Sequence, residues 1–141
     1  MITTIIATVI VLGVLIFVHE LGHFWVAKKL KVGVLTFSLG FGPKLFGKKV
    51  GETQYQVSLI PLGGYVKMVG EEAGEEIPPE LLARSFSAQP VSKRLGIVFA
   101  GPFFNFLFAI VAFAAIFMAG MPTLLSEVGE VKPDYPAYQA G

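Results

Sequence analysis

Residues 5–25 read IIATVIVLGVLIFVHELGHFW, an apolar run that ends in two histidines and a glutamate. Residues 5–17 contain no charged side chain, which is typical of a helix that crosses a membrane. Ionisable side chains are costly at such a depth, so they usually mark a functional site. The stretch to explain is therefore His19-Glu20-Leu21-Gly22-His23.

The spacing within this stretch indicates a zinc site. Successive residues of a helix turn by about 100°, so His19 and His23 lie on one face of it. Two neutral imidazoles in this arrangement can bind one zinc ion, and Glu20 lies beside them as a general base for a water molecule that the metal activates. The alternative is a structural pair of histidines bonded to neighbouring helices. The apolar surroundings favour zinc, because a Glu20 without a role would cost roughly 3 kcal/mol there.

The composition is that of a membrane protein. Of the 141 residues, 54% are hydrophobic and 15% are charged, against about 25% charged in ordinary soluble domains. The net charge of +1 offers no argument for binding nucleic acid. The chain has no cysteine, which excludes disulfides, thiolate zinc ligands and a cysteine nucleophile. No basic residue precedes the first apolar run, and the run is too long for a cleavable signal peptide, so we expect a retained helix.

The sequence predicts an α-helical membrane protein with two antiparallel transmembrane helices, at residues 1–27 and 95–119. Lysines follow the first apolar run, and Lys93 and Arg94 precede the second. Basic residues tend to stay on the cytoplasmic side of a membrane. Both helices therefore place residues 28–94 on that side.

Residues 28–70 predict a small, membrane-associated antiparallel β-sheet on the cytoplasmic side. Residues 54–59 alternate polar and apolar side chains, as a half-buried strand does. Turn-forming sequences occur at residues 40–43 (GFGP) and 61–64 (PLGG). The sheet either leans against or dips into the membrane, where its backbone polar groups must be paired or line a cavity, or it forms a small cytoplasmic hairpin subdomain.

The remaining segments give weaker signals. Residues 71–94 predict an acidic linker followed by a short amphipathic segment at the membrane interface. In the second helix, the small residues of Ala100-Gly101-Pro102 predict close helix packing. Asn105 is expected at about the depth of His19. It bonds either to the zinc site or a substrate backbone, or else it acts as polar glue between helices.

Taken together, these motifs resemble the site-2 protease family of intramembrane zinc metalloproteases, in particular the bacterial regulator-of-sigma-E protease type. The resemblance rests on HELGH at residues 19–23, FGP at 41–43, PLGGYVKM at 61–68, Arg94, and AGPFFN at 100–105. Residues 124–141, which end in VGEVKPDYPAYQAG, resemble the start of a PDZ domain.

The resemblance implies a multi-pass protein of the bacterial inner membrane. It would hydrolyse a peptide bond within the lipid bilayer, in the transmembrane segment of a single-span protein such as an anti-sigma factor. By position, His19 and His23 would be zinc ligands and Glu20 the general base, and the β region would present an extended substrate strand by edge pairing.

The resemblance also implies a third zinc ligand that these residues do not supply. In the family it is an aspartate in a later Leu-Asp-Gly motif, and Asp134 is expected at the opposite membrane face. A catalytic zinc takes three protein ligands and one open position. We therefore expect an N-terminal portion of a protease that is inactive alone and binds zinc weakly.

Two other functions stay open. A non-catalytic homologue could bind or scaffold client helices without cutting them, although a scaffold has no evident use for Glu20. A divalent-metal transporter would need more intramembrane carboxylates than this single one.

Overall fold

The structure is a computed structural model, and it describes residues 1–72, 74–120 and 136. In chain order it contains helix α1 (Ile2–Lys29), strand β1 (Val34–Val50), strand β2 (Thr53–Met68), a short 3-10 helix (Pro79–Arg84) and helix α2 (Val91–Ala119). The chain divides into two compact units, Met1–Val111 and Ala112–Gly141. The sheet and the site belong to the first. The predicted start of a PDZ domain lies outside the described residues, Pro136 aside.

Both helices are long and apolar enough to cross a membrane. In the most apolar 18-residue window of α1, 0% of the residues are buried inside the molecule, and in that of α2 the share is 17%. The core helix of a soluble protein would be covered mostly by its own chain, so this exposure favours membrane spans. Two apolar helices and a small sheet fit the predicted membrane protein. The cytoplasmic placement of residues 28–94 stays a prediction.

The helix ends differ by a few residues from those expected. Helix α1 continues to Lys29 rather than ending at residue 27, and α2 begins at Val91 rather than at residue 95. Lysine and arginine are good helix formers, so the basic flanks of the apolar runs are included in the helices. Lys28 and Lys29 occupy the last turn of α1, where positive charge is favourable against the helix dipole.

Strands β1 and β2 pair with each other, and each is bent in its middle. The bend in β1 falls at Gly40 and Gly42, whose φ angles are 89° and 82°, and the bend in β2 falls at Gly63, with a φ of 137°. Glycine adopts such angles without the steric cost that other residues carry. The two sequences predicted as turns therefore lie inside the strands, where they act as bends.

The bends divide the sheet into four segments. Residues 36–39 pair with residues 54–57 on one side and with residues 64–67 on the other, while residues 44–50 pair with residues 53–58. In the pairings of 36–39 with 64–67 and of 44–50 with 53–58, residue numbers rise along one segment and fall along the other. These two pairings are therefore antiparallel, as predicted. Between 36–39 and 54–57 the residue numbers of both segments rise together, so this inner pairing is parallel.

The core joins the end of α1, the sheet and the start of α2. Its buried side chains, all between 0% and 8% exposed, are those of Ala27, Val32, Val34, Phe37, Val66, Met68 and Ile97. Phe24 of α1 lies over the sheet, with its ring centroid 5.0 Å from that of Phe37 and 5.7 Å from that of Tyr55. The sheet is thereby held against the last turns of α1, beside the second histidine of the motif.

Three adjacent segments of the sheet also hold a polar cluster. The hydroxyl oxygens of Ser38 and Ser58 are 3.0 Å apart, and the Gln56 amide donates to the Tyr65 hydroxyl at 3.2 Å. The alternation predicted for residues 54–59 is only partly seen. Residues 54–57 are all half-buried and Tyr55 packs against the core, but Ser58 is 2% exposed and Leu59 is 57% exposed. The hydroxyl of Ser58 can be buried because it is hydrogen-bonded.

The segment between the sheet and α2 is bonded back onto the sheet. Glu71 accepts a hydrogen bond from the Met68 amide at 3.0 Å, and the Phe86 amide donates to the Val69 carbonyl at 2.7 Å. Residues 79–84, expected to belong to a linker and an amphipathic segment, form the 3-10 helix.

A cluster of charges ties the tip of the hairpin to this segment. Both carboxylate oxygens of Glu52 accept from the Arg84 guanidinium at 2.7 Å, and one also accepts from the Lys28 ammonium at 3.1 Å. The Arg84 guanidinium, and after it the Lys28 ammonium, hold the pKa of Glu52 below its ordinary value. One carboxylate thus links α1, the hairpin and the 3-10 helix.

Candidate metal centre

His19 and His23 lie one turn apart on the face of α1 that meets α2. Their ring centroids are 4.8 Å apart, and the ring planes make an angle of 79°. His19 lies beside Asn105 of α2, and His23 lies beside Ile97, so the two helices run antiparallel at this point. The structure brings together the two imidazoles that the sequence singled out.

Both Nε2 atoms converge on Gly101 of α2. A β-carbon built on Gly101 would lie 2.5 Å from Nε2 of His23 and 2.6 Å from Nε2 of His19. Both Nε2 atoms therefore lie against the bare backbone of Gly101, on the same side of it, and a side chain at this position would displace both rings. Two imidazole nitrogens this close to one point of α2 are a donor set that fits a zinc ion.

Small residues bring the two helices close enough for this arrangement. A β-carbon built on Gly22 would lie 2.5 Å from the carbonyl oxygen of Ala100 and 3.0 Å from the Phe104 ring. Gly22, Ala100 and Gly101 are all buried. The close packing predicted for this stretch of the second helix is confirmed, and it follows the small-residue rule for membrane helices.

A backbone carbonyl orients the second histidine. Nδ1 of His23 lies 2.7 Å from the carbonyl oxygen of Ile97. A carbonyl oxygen can only accept, so Nδ1 carries the hydrogen and Nε2 keeps its lone pair for a metal. A proline inside a helix leaves the carbonyl four residues before it without its helical donor, and for Pro102 that carbonyl belongs to Val98. The acceptor for His23 is the carbonyl of the preceding residue, Ile97, so it does not result from the proline.

Glu20 lines two cavities. One of about 380 Å³ includes His23 and Glu71 in its wall, and the other, of about 250 Å³, includes His19 and Asn105. A β-carbon built on Gly64 would lie 3.4 Å from Cγ of Glu20, so this side chain also contacts the outer segment of the sheet. The carboxylate, the two imidazoles and a strand therefore meet in one place.

The third metal ligand is not among these side chains. In the described part of the chain, no group of three histidine, cysteine, aspartate or glutamate side chains is placed to hold a metal ion. Asp134, expected at the opposite membrane face, lies outside the described residues. The geometry brings together two candidate ligands, and a catalytic zinc takes three.

Sequence reasoning missed two parts of this site. The Ile97 carbonyl leaves no side-chain signal at all. Gly101 was recognised as a packing residue but not as the space that faces both imidazoles. The only available signal for that second role is a glycine before a proline, in the middle of an apolar span.

A pair of apolar helices whose contact face carries a His-Glu-x-x-His motif is the arrangement of a membrane-embedded metallopeptidase. Comparison with known proteins agrees with this class. The sequence pattern described as Peptidase family M50 matches residues 7–137. The chain therefore belongs to peptidase family M50, the site-2 proteases.

Several relatives are similar over most of the chain. The regulator of sigma-E protease RseP of Escherichia coli strain K12 is 47% identical over 134 residues, 94% of this chain. Protease RseP of Yersinia pestis is 47% identical over 135 residues, 95% of the chain. A Vibrio cholerae serotype O1 protein whose name describes a zinc metalloprotease is 50% identical over 138 residues, 96% of the chain.

These matches confirm the resemblance to the regulator-of-sigma-E protease type. The chain spans only about 30% of the length of these relatives.

Proposed function

We propose that this chain is the N-terminal part of an intramembrane zinc metalloprotease, which hydrolyses a peptide bond in the transmembrane segment of a single-span protein of the anti-sigma factor type. The observation that carries the proposal is that the His19 and His23 Nε2 atoms lie together against Gly101, with Glu20 beside them. Membership of a peptidase family supports the reaction class, and the relatives named as zinc metalloproteases support the metal.

In this proposal His19 and His23 are two zinc ligands, and Glu20 is the general base. Zinc, when bound, supplies a Lewis acid that polarises the scissile carbonyl and makes a water molecule more acidic. The Glu20 carboxylate takes a proton from the attacking water and returns it to the amine that leaves. The carboxylate follows His19 directly in the helix, and it lines a cavity with each histidine.

The sheet has a use in presenting the substrate. The peptide bonds of a transmembrane helix are enclosed in its own hydrogen bonds, so the substrate must unwind before it is cut. Among the described residues, the outer segment 64–67 pairs with residues 36–39 on one side only. An extended substrate added to a free edge would regain the backbone hydrogen bonds that unwinding removes, which matters most inside a membrane. The contact between Gly64 and Glu20 supports this position for the substrate.

We infer a multi-pass protein of the bacterial inner membrane, with residues 28–94 on the cytoplasmic side. The two apolar helices and the basic residues that flank them support this placement. The third zinc ligand would come from a part of the whole protein that this chain does not include. These residues alone would then be inactive.

The test uses the full-length protein that contains this chain, reconstituted with a model single-span substrate. Glu20→Gln should abolish cleavage and leave the zinc content unchanged. The matched control is Glu71→Gln, which alters the second carboxylate in the wall of the same cavity and should still cleave. Equal product from the wild type and Glu20→Gln would overturn the protease assignment, because the cleavage would then not depend on the proposed base.

A further inference from the structure

The two imidazoles are held by different kinds of partner. Nδ1 of His23 faces a backbone carbonyl, whereas Nδ1 of His19 faces the side-chain amide of Asn105, with Nδ2 at 3.4 Å. Within the described residues, the other end of this amide, Oδ1, is buried and has no hydrogen-bond partner. The structure therefore raises a specific question about which end of the amide bonds to the histidine.

The two ends of an asparagine amide have nearly the same shape, and exchanging them alters only the hydrogen bonding. Exchange would put the nitrogen where the unpaired oxygen is, so one buried polar atom lacks a partner in either orientation. The cost of that unpaired atom is similar in both cases. The bond to His19 therefore decides the orientation.

The tautomer of His19 decides which end of the Asn105 amide faces its Nδ1 atom. Nε2 of His19 reaches the same point beside Gly101 as Nε2 of His23, so both need their lone pairs there to bind one metal ion. A neutral imidazole carries one hydrogen, which must then be on Nδ1 of His19. This hydrogen requires an acceptor, and of the two amide ends only the oxygen can accept.

We propose that Asn105 is a positioning residue for the first histidine, whose Nδ1–H donates to the amide oxygen Oδ1 of Asn105. The inference rests on the proposed zinc role of His19. Metal-binding histidines commonly donate their second ring nitrogen to an oxygen, which fixes the tautomer and the ring orientation. The carbonyl of Ile97 does this for His23, and Asn105 does it for His19.

The placement of these groups on α2 follows from helix geometry. Ile97, Gly101 and Asn105 are four residues apart in turn, so they lie on one face of the helix. Opposite them, His23 and His19 are also four residues apart on α1. Because the helices are antiparallel, the face of α2 presents in order an orienting carbonyl, a glycine without a side chain and an orienting amide.

The test is the zinc affinity of the full-length protein, measured by chelator competition, in two variants. Asn105→Asp keeps an acceptor and has no donor, so its affinity should remain within about threefold of the wild type or rise. Asn105→Leu keeps the branching at Cγ and has no polar atom, so its affinity should fall by about 10- to 100-fold. Thermal unfolding of the metal-free forms checks that both variants are folded.

Two results would overturn the inference. If aspartate weakens zinc binding as much as leucine, the amide donates to His19. If neither variant changes the affinity, the contact is only packing between helices.

A second measurement does not depend on bound metal. Nitrogen-15 NMR of histidine-labelled, metal-free protein, with the His19 signal assigned by its loss in His19→Ala, should show the Nδ1–H tautomer. The Nε2–H tautomer would overturn the inference. The proposed protease function has its own separate criterion, the cleavage by Glu20→Gln.

Discussion

Nδ1 of His23 lies 2.7 Å from the carbonyl oxygen of Ile97, whose side chain is 0% exposed in the core. One residue therefore packs α2 against the sheet and also orients an imidazole of the candidate metal centre. The position of that imidazole depends on how the core is packed, and not only on α1. In a site that must hold its ligands in one geometry, such a connection to the core limits ring rotation.

Gly101→Ala should weaken metal binding without unfolding the protein. The added methyl group would press on both Nε2 atoms and displace the rings, and overpacking of this kind costs about 1–3 kcal/mol. We expect the zinc affinity of the full-length protein to fall by roughly 10- to 100-fold, since about 1.4 kcal/mol corresponds to tenfold. The control is Gly96→Ala in the same helix, where a β-carbon meets nothing within 4 Å. Equal affinities in the two variants would contradict the position of the centre.

His23→Ala should remove the zinc, because two ligands from this chain become one and a catalytic site takes three in all. His19→Ala should act in the same way. Metal analysis of the purified full-length variants measures this directly, with Glu20→Gln as the control that should keep its zinc. A full complement of zinc in His23→Ala would refute the assignment of this ligand.

Gly64→Ala should reduce cleavage while zinc stays bound. Its β-carbon would lie 2.7 Å from the Ser38 carbonyl oxygen, so the strand has to shift. The same β-carbon lies 3.4 Å from Cγ of Glu20, so that shift alters the surroundings of the carboxylate. We expect cleavage to fall about tenfold or more, as positioning errors near 1 Å can cost about a hundredfold. Gly13→Ala, where a β-carbon meets nothing within 4 Å, is the control. Wild-type cleavage by Gly64→Ala would argue against a role for this contact.

The bond between Glu52 and Arg84 should make stability depend on acid. The guanidinium lowers the pKa of Glu52 in the folded protein relative to its ordinary value of 4.5. The pair therefore stabilises the folded state above that value, and the contribution is lost as the pH falls through the lowered folded pKa. At neutral pH, Glu52→Gln should lose about 1 kcal/mol, and below the glutamate range it should match the wild type.

Thermal unfolding in detergent, compared at the two pH values, measures this difference. The control is Glu72→Gln, which breaks the more exposed pair with Lys67 and should change little. A constant difference between wild type and Glu52→Gln at both pH values would show that the bond does not act through the charge.

Local features of this protein could be predicted well from its sequence. The two apolar helices, the one-turn spacing of His19 and His23 and the β character of the intervening segment all depend on short-range periodicity. The predicted turns were less accurate. Whether Gly40 or Gly63 ends a strand or bends it depends on which segments lie opposite, and sequence periodicity does not contain that information.

The amino-acid sequence by itself determined that two imidazoles and a carboxylate occupy one turn of an apolar helix, since helix geometry alone brings together residues four apart. Only the tertiary structure decided what faces them. The partners of His23 and His19 are 74 and 86 positions away along the chain. They meet because the helices are antiparallel and because Gly22, Ala100 and Gly101 let the two backbones approach, which turns a motif on one helix into a site between two.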